Sequence, residues 1–492
     1  MERSSGILLH ISSLPSPHGI GTFGQAAYDF IDFLVSANQK YWQILPIGPT
    51  SFGNSPYQSF STFAYNPFFI DLDYLAKEDL LNQEATFINW GINPSVVDFA
   101  LLHKHRFEIL FRAYTNAKKS TKHTKRLETF TLRHIDWLED YALFMALKDH
   151  FDGQPWIHWP YEIRFRETAA LETYTNQLAD RINFYRFLQM LACEQWEALK
   201  SHANKNNIRI IGDLPIYVPL DSADVWANTS EFQLDNNRLP IAVAGVPPDY
   251  FTIDGQLWGN PLYDWNHMME NNYVWWLHRM EQAARLYDTL RFDHFRGLSS
   301  YWAIPFGAEN SRVGSWIKGP GINFVRMICM NFPQLEIIVE DLGLLTADVA
   351  DLVHESKLPN MKVLQFAFDS GEPNNHLPHT YESNCVCYTG THDNTTVLGW
   401  FDKATAAERA LATCYFGLHE AETISWGFIR GGMSSVAKLF IAPMQDYLNL
   451  GEEARMNLPG TVDNNWQWRL MPDFCNTILT NKIAAISRVY GR

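Results

Sequence analysis

Four acidic residues close apolar stretches in this chain, and their settings define the chemistry open to it. In Leu290-Arg291-Phe292-Asp293-His294 an arginine and an aspartate lie two residues apart. On a strand they share a face, and the guanidinium then keeps the carboxylate ionised at neutral pH. Glu340 ends the run Ile337-Ile338-Val339, where desolvation raises a carboxyl pKa. Asp213 ends Ile208-Arg209-Ile210-Ile211-Gly212, and Asp393 follows Tyr388-Thr389-Gly390-Thr391-His392. One ionised and one protonated carboxyl group in a shared cavity are what glycoside cleavage needs: the first attacks the anomeric carbon, the second gives the leaving oxygen its proton. Asp293 suits the first task and Glu340 the second. Asp393 then orients sugar hydroxyls and stabilises an oxocarbenium-like transition state. Taken singly, each acid has a plainer explanation, as a strand-end ion pair or, for Asp341 and Asp393, as a helix N-cap. Four of them at strand ends, with Arg291, His294 and His392 beside them, favour a common site.

These positions are far apart in the chain, so the elements must bring them together. Apolar runs of strand length occur near Ile7, at 41–46, 208–213, 289–293, 335–340, 362–368, 385–389 and 437–441, each followed by a crossover with helix-like sequence. Eight such units predict an α/β fold, a parallel (β/α)8 barrel of the TIM type, whose active site lies at the C-terminal ends of its strands. Residues 72–207 read as a helical insertion. Residues 220–275 read as a long aromatic loop insertion at the C-terminal face, of the kind that is usually functional when ordered. The whole chain, 1–492, then forms one catalytic domain.

Composition narrows the ligand. The chain has 492 residues, 46% hydrophobic and 19% charged, with a formal charge of −15. It is globular, and the acidic balance argues against nucleic acid and anionic membranes. Aromatic residues reach 14%, and most must be core, but sugar rings stack on the same side chains. The six cysteines show no Cys-x-x-Cys or His-Cys metal spacing and read as reduced core residues, which with the short N-terminal apolar run predicts a cytoplasmic enzyme. Phosphate-loop, dinucleotide, zinc-protease and calcium-loop motifs are absent from the sequence.

The segments Leu290-Arg291-Phe292-Asp293-His294, Val339-Glu340-Asp341-Leu342-Gly343 and Gly390-Thr391-His392-Asp393-Asn394 resemble the barrel motifs of the α-amylase clan. The chain as a whole resembles the amylomaltases, bacterial 4-α-glucanotransferases, through Ser12-Ser13-Leu14-Pro15-Ser16, Gly53-Asn54-Ser55-Pro56-Tyr57, Gly212-Asp213-Leu214-Pro215, Trp258-Gly259-Asn260-Pro261 and Asn465-Trp466-Gln467-Trp468-Arg469. The resemblance implies Asp293 as nucleophile, Glu340 as acid/base and Asp393 as transition-state stabiliser. It also implies a glucan site lined by Ser55, Tyr57, Asp213, Asp249, Trp258, Arg291, His294, His392 and Asn465, with no metal or organic cofactor. The partners it implies are an α-1,4-glucan donor and a maltooligosaccharide acceptor. A hydrolase of the same clan and a non-catalytic glycan-binding barrel are the competing expectations, the latter weakened by three intact carboxylates.

Overall fold

Strands that are covered on both faces are buried along most of their length rather than on alternate residues, and the barrel strands of this chain follow that rule, polar residues such as Asp213 and Arg291 included. The computed structural model describes residues 2–248, 254–343, 346–369, 374–474 and 476–492. In chain order its strands are β1 Ser4–Leu8, β2 Tyr41–Gln43, β3 Arg209–Leu214, β4 Ala242–Val246, β5 Gln256–Pro261, β6 Thr289–Phe292, β7 Ser300–Pro305, β8 Ser315–Lys318, β9 Glu336–Val339, β10 Asn360–Val363, β11 Cys385–Tyr388 and β12 Leu439–Pro443. Eight of them close a barrel in the order β1-β12-β11-β10-β9-β6-β3-β2, every neighbouring pair parallel. The strands β1, β2, β6, β11 and β12 are buried along their whole length. Close packing shows at Gly212 in β3, where any added Cβ would sit 2.1 Å from the Tyr287 ring.

The expected strand over 362–368 is displaced. The strand is Asn360–Val363, and Leu364–Ala367 form a turn of 3-10 helix. An apolar run of that length suits a buried strand and a buried helical turn equally, and Asp341 decides the register. Its carboxylate accepts from Asn360 Nδ2 at 2.8 Å and from the Met361 backbone N–H at 3.1 Å, so pairing starts earlier than the apolar pattern suggests. Asp341 is thereby a strand anchor, not a helix cap.

Between β2 and β3, residues 72–205 contain seven α-helices, from Leu72–Lys77 to the 27-residue Ala179–Lys205. Their buried apolar side chains join the barrel core in one contiguous cluster. The segment 220–275 is less irregular than its turn-rich sequence suggests. It contributes β4 and β5 to a four-stranded antiparallel sheet, β5-β4-β7-β8, completed by a hairpin that follows β6. Tyr250 and Phe251, which belong to the same loop, lie outside the described residues. Near the C-terminus, Arg469 donates through Nη2 to the carbonyls of Leu14 and Ser16, at 3.1 and 2.5 Å, and its backbone N–H to Ser95 O at 2.8 Å. The Trp466-Gln467-Trp468-Arg469 motif thus joins the β1 loop to the helical segment. Among the described residues no helix is long and apolar enough to cross a membrane.

One buried arginine joins three of these parts. Arg279, 1% exposed on the helix Val274–Leu286, donates to Ile216 O at 3.0 Å, Tyr263 Oη at 3.1 Å and Thr62 Oγ1 at 3.1 Å, and also to Pro215 O. Arg279→Met keeps the aliphatic volume but strands these acceptors. We expect it to lower the unfolding free energy in urea by on the order of 3 kcal/mol, since a buried acceptor left unpaired costs about 1–3 kcal/mol. A loss under 1 kcal/mol would show that water replaces the guanidinium.

Candidate active site

Strand register brings the acids together. In the parallel pair β3 and β6, Asp213 stands opposite Arg291, and in β6 and β9, Phe292 stands opposite Val339. Asp293 and Glu340 are the next residues on adjacent strands, so they leave the barrel at the same height. Backbone bonds hold that step: Asp293 N–H donates to Leu214 O and Glu340 N–H to Phe292 O, both at 3.0 Å.

Arg291 is 3% exposed and serves two carboxylates through one nitrogen. Its Nη1 lies 2.6 and 2.8 Å from the oxygens of Asp213 and 3.0 Å from Asp293 Oδ1. Burial opposes the guanidinium's charge, but the surrounding carboxylates hold it protonated well above its ordinary range. Tyr57 Oη donates to Asp213 Oδ2 at 2.7 Å, and the Ser55 hydroxyl accepts the Tyr57 backbone N–H at 3.2 Å. Ser55 therefore shapes the loop that carries Tyr57.

The ionisation of Asp293 differs from the sequence expectation. Burial raises its carboxyl, to about 7, and Arg291 pulls it down only in part, because Asp213, Glu340 and Asp393 add negative charge around it. The guanidinium is shared with Asp213, and sharing weakens its hold on Asp293. The Asp293 side chain keeps 25% exposure toward the cleft, so water screens part of this repulsion. Glu340 is raised as expected, by burial first, against the pull of Arg291 and of two backbone N–H groups. Those donors are His294, to Oε2, and Leu342, to Oε1, each at 2.7 Å. Both carboxyl groups, on neighbouring strand ends, are thus raised above the usual carboxylate range, by burial first.

His294 adopts φ 49°, a left-handed conformation that costs a side-chain-bearing residue roughly 1–2 kcal/mol. The turn aims its N–H at Glu340 and its ring at Trp258, 4.8 Å away edge to face. Burial lowers the imidazole to about 3, which keeps it neutral. Opposite, Tyr57 stacks on His392 at 5.1 Å and 17°, with Trp466 5.9 and 6.0 Å from the two rings. His392 Nε2 lies 3.3 Å from Asp393 Oδ2. Burial opposes ionisation of Asp393, but His392 and Asn457 hold its carboxyl well below the usual carboxylate range.

Of the expected site residues, Asp213, Arg291, Asp293, Glu340, His294, Trp258, Tyr57, His392 and Asp393 are joined by these contacts. Asp249 lies outside the described residues. Asn465 stands in the loop that carries Trp466 toward Tyr57 and His392. Its Oδ1 accepts Leu458 N–H at 2.9 Å and its Nδ2 donates to Thr461 O at 3.0 Å, so its amide closes a loop. Sequence reading missed Arg455 and Asn457, which bond to Asp393. Nothing local marks them, since they sit in a polar loop more than sixty residues away. Trp466 stood inside a quoted motif, but its ring contact is a tertiary fact.

The 4-alpha-glucanotransferase family model matches residues 9–474. A 4-alpha-glucanotransferase of Clostridium butyricum is 47% identical over 487 residues, covering 98% of this chain and 100% of the relative. One of Streptococcus pneumoniae is 44% identical, with 100% of this chain and 98% of the relative covered. Among solved structures, the amylomaltase from Streptococcus agalactiae in complex with acarbose superposes with a TM-score of 0.98 at 40% identity, covering all of both chains.

The shared guanidinium yields a signed prediction. Asp213→Asn removes a carboxylate that raises Asp293 and frees Arg291 to pair with it, so Asp293 should titrate at lower pH than in the parent protein. Carboxyl titration by isotope-edited infrared spectroscopy, with Asp293→Asn to identify the band, reads this directly. An upward or absent shift would mean that Asp213 acts on Asp293 only through packing.

Proposed function

Because the chain belongs to the 4-alpha-glucanotransferase family and transfers α-1,4-glucan segments between maltooligosaccharides, we propose that it works by a retaining double displacement on Asp293, Glu340 and Asp393. Asp293 attacks the anomeric carbon while Glu340 gives its proton to the departing 4-oxygen, leaving a glycosyl ester on Asp293. Glu340, now ionised, takes the proton of an acceptor 4-hydroxyl, whose oxygen attacks the same carbon and releases Asp293. Asp393 faces the positive charge that develops at the ring in both steps. The observation that carries this reading is the register: the two acids follow Phe292 and Val339, which are paired on adjacent strands. Neighbouring strands run about 4.8 Å apart, which supports the roughly 5–5.5 Å carboxyl separation of retaining enzymes. Family membership favours a transferase over a hydrolase, and the acarbose held by the S. agalactiae relative supports an oligosaccharide in this cleft.

Tyr57, Asp213, Trp258, Arg291, His294 and His392 then line the glucan site, with Asp249 a candidate from the same loop. We read the chain as one catalytic domain, supported by its contiguous core, and as cytoplasmic, supported by the free, buried Cys193, Cys385 and Cys387.

With maltotriose, the parent protein should give a ladder of longer and shorter oligomers. Asp293→Ala and Glu340→Gln should each lower turnover by roughly 10³-fold or more, the loss seen when a catalytic nucleophile or its proton-transfer partner is removed. Glucosyl fluoride needs little acid assistance, so Glu340→Gln should form the glycosyl ester from it more readily than from a glucan. Equal impairment with both donors would remove Glu340 as the acid.

Transfer must also outrun attack by water. An acceptor held in line has that advantage, and a covered site denies it to loose water. Trp258, packed on His294 in the 245–261 segment, belongs to such a cover, as do Pro247 and Pro248. Trp258→Ala should raise the ratio of reducing ends released to oligomers redistributed, with less effect on forming the glycosyl ester. An unchanged ratio in the folded variant would move acceptor preference to the Tyr57 side of the cleft.

A further inference from the structure

Asp393 is finished by a loop from a distant part of the chain. Asn457 Nδ2 donates to Asp393 Oδ1 at 2.6 Å, while His392 Nε2 stands 3.3 Å from Oδ2. Each carboxylate oxygen thus has its own partner, which fixes the rotation of the group. Arg455 holds the backbone behind both side chains: Nη2 donates to Asp393 O and Nε to Asn457 O, each at 2.7 Å. Beyond Asn457 the loop closes on itself. Asn465 bonds to Leu458 and Thr461, and the Trp466 N–H donates to Met456 O at 2.7 Å. Trp466 in turn packs toward His392 and Tyr57. The segment 455–466 is therefore a closed loop pinned at its inner end to Asp393 and at its outer end to the ring wall of the cleft.

We propose that Asn457, aligned by Arg455 and by the loop that Asn465 closes, is a positioning residue that sets the orientation of Asp393 during glucan transfer. The inference rests on the assignment of Asp393 as transition-state stabiliser. Charge at the ring carbon and oxygen appears only as the bond to the leaving group breaks, so a misturned Asp393 weakens the transition state more than the bound glucan. The effect should fall on kcat and largely spare KM. It should also vanish when Asp393 can no longer supply charge.

The test uses the full chain and maltotriose disproportionation with four variants: Asn457→Ala, Asn457→Asp, Asp393→Asn and the double variant Asp393→Asn/Asn457→Ala. Asn457→Ala should lower kcat roughly 10- to 100-fold, the range that a displacement of about 1 Å costs, with KM little changed. The double variant should be no slower than Asp393→Asn alone. Asn457→Asp keeps the shape but replaces a donor to Asp393 with a like charge, so it should lower kcat at least as far as Asn457→Ala, with KM again little changed. It also covers the case in which the alanine variant fails to fold. A parental kcat in Asn457→Ala overturns the proposal, as does one in Asn457→Asp. So does a further, additive loss in the double variant, since that marks general damage to the fold. High activity in Asp393→Asn overturns it by a separate route, by removing the assignment beneath it.

Discussion

A buried guanidinium bonded to two carboxylates is the interaction on which this site depends. Arg291 has almost no contact with water, and the aspartates it touches come from different strands. Taking such charges out of water costs more than their attraction returns unless the geometry is close, and removing one partner from a buried pair costs about 3–5 kcal/mol. The arrangement therefore earns specificity more than stability. It requires β3 and β6 to keep their register, because a slip of one residue would turn Arg291 away from Asp213 and leave that buried carboxylate without its cation.

The same geometry explains why both acids are raised. With Arg291 committed first to Asp213, Asp293 sits among carboxylates with only part of a positive charge to offset them, and Glu340 is raised by its apolar surroundings. A stronger private ion pair would lock Asp293 as an anion but hold it back from attack. A weaker one would let the proton settle there. Asp393 is treated in the opposite way, with His392 and Asn457 both favouring its charge, so three acids of one cleft are set to different tasks by their neighbours.

The barrel supplies the floor of the site, and later additions supply its walls. One wall comes from β5 of the antiparallel sheet, whose Trp258 rests on His294. The other is the stack of Tyr57, His392 and Trp466, drawn from the loop after β2, the loop after β11 and the C-terminal segment. Neither wall touches Asp293 in the described contacts. Trp258 instead packs on His294, whose N–H bonds Glu340, and Tyr57 bonds Asp213, the partner of Arg291, which lets loops vary while the strand ends stay in place.

The barrel and the acids at its rim are legible in the amino-acid order alone. Strand-length, largely apolar runs that end in a carboxylate, as at Ile337 to Glu340 and Leu290 to Asp293, carry both signals locally, because a parallel strand is buried on both faces and its last residue opens onto the cleft. The partner of each group, by contrast, is set by packing between distant segments. The start of β10 followed Asp341 rather than the apolar run 362–368, and β4 and β5 became a sheet because strands from a later hairpin lie beside them. Arg291 turned out to be shared, Asn465 to close a loop, and Asn457 to reach Asp393 across 64 positions. Hydrophobic periodicity is a property of neighbours along the chain, whereas a pKa or a hydrogen bond belongs to neighbours in space, and no spacing in the sequence encodes those.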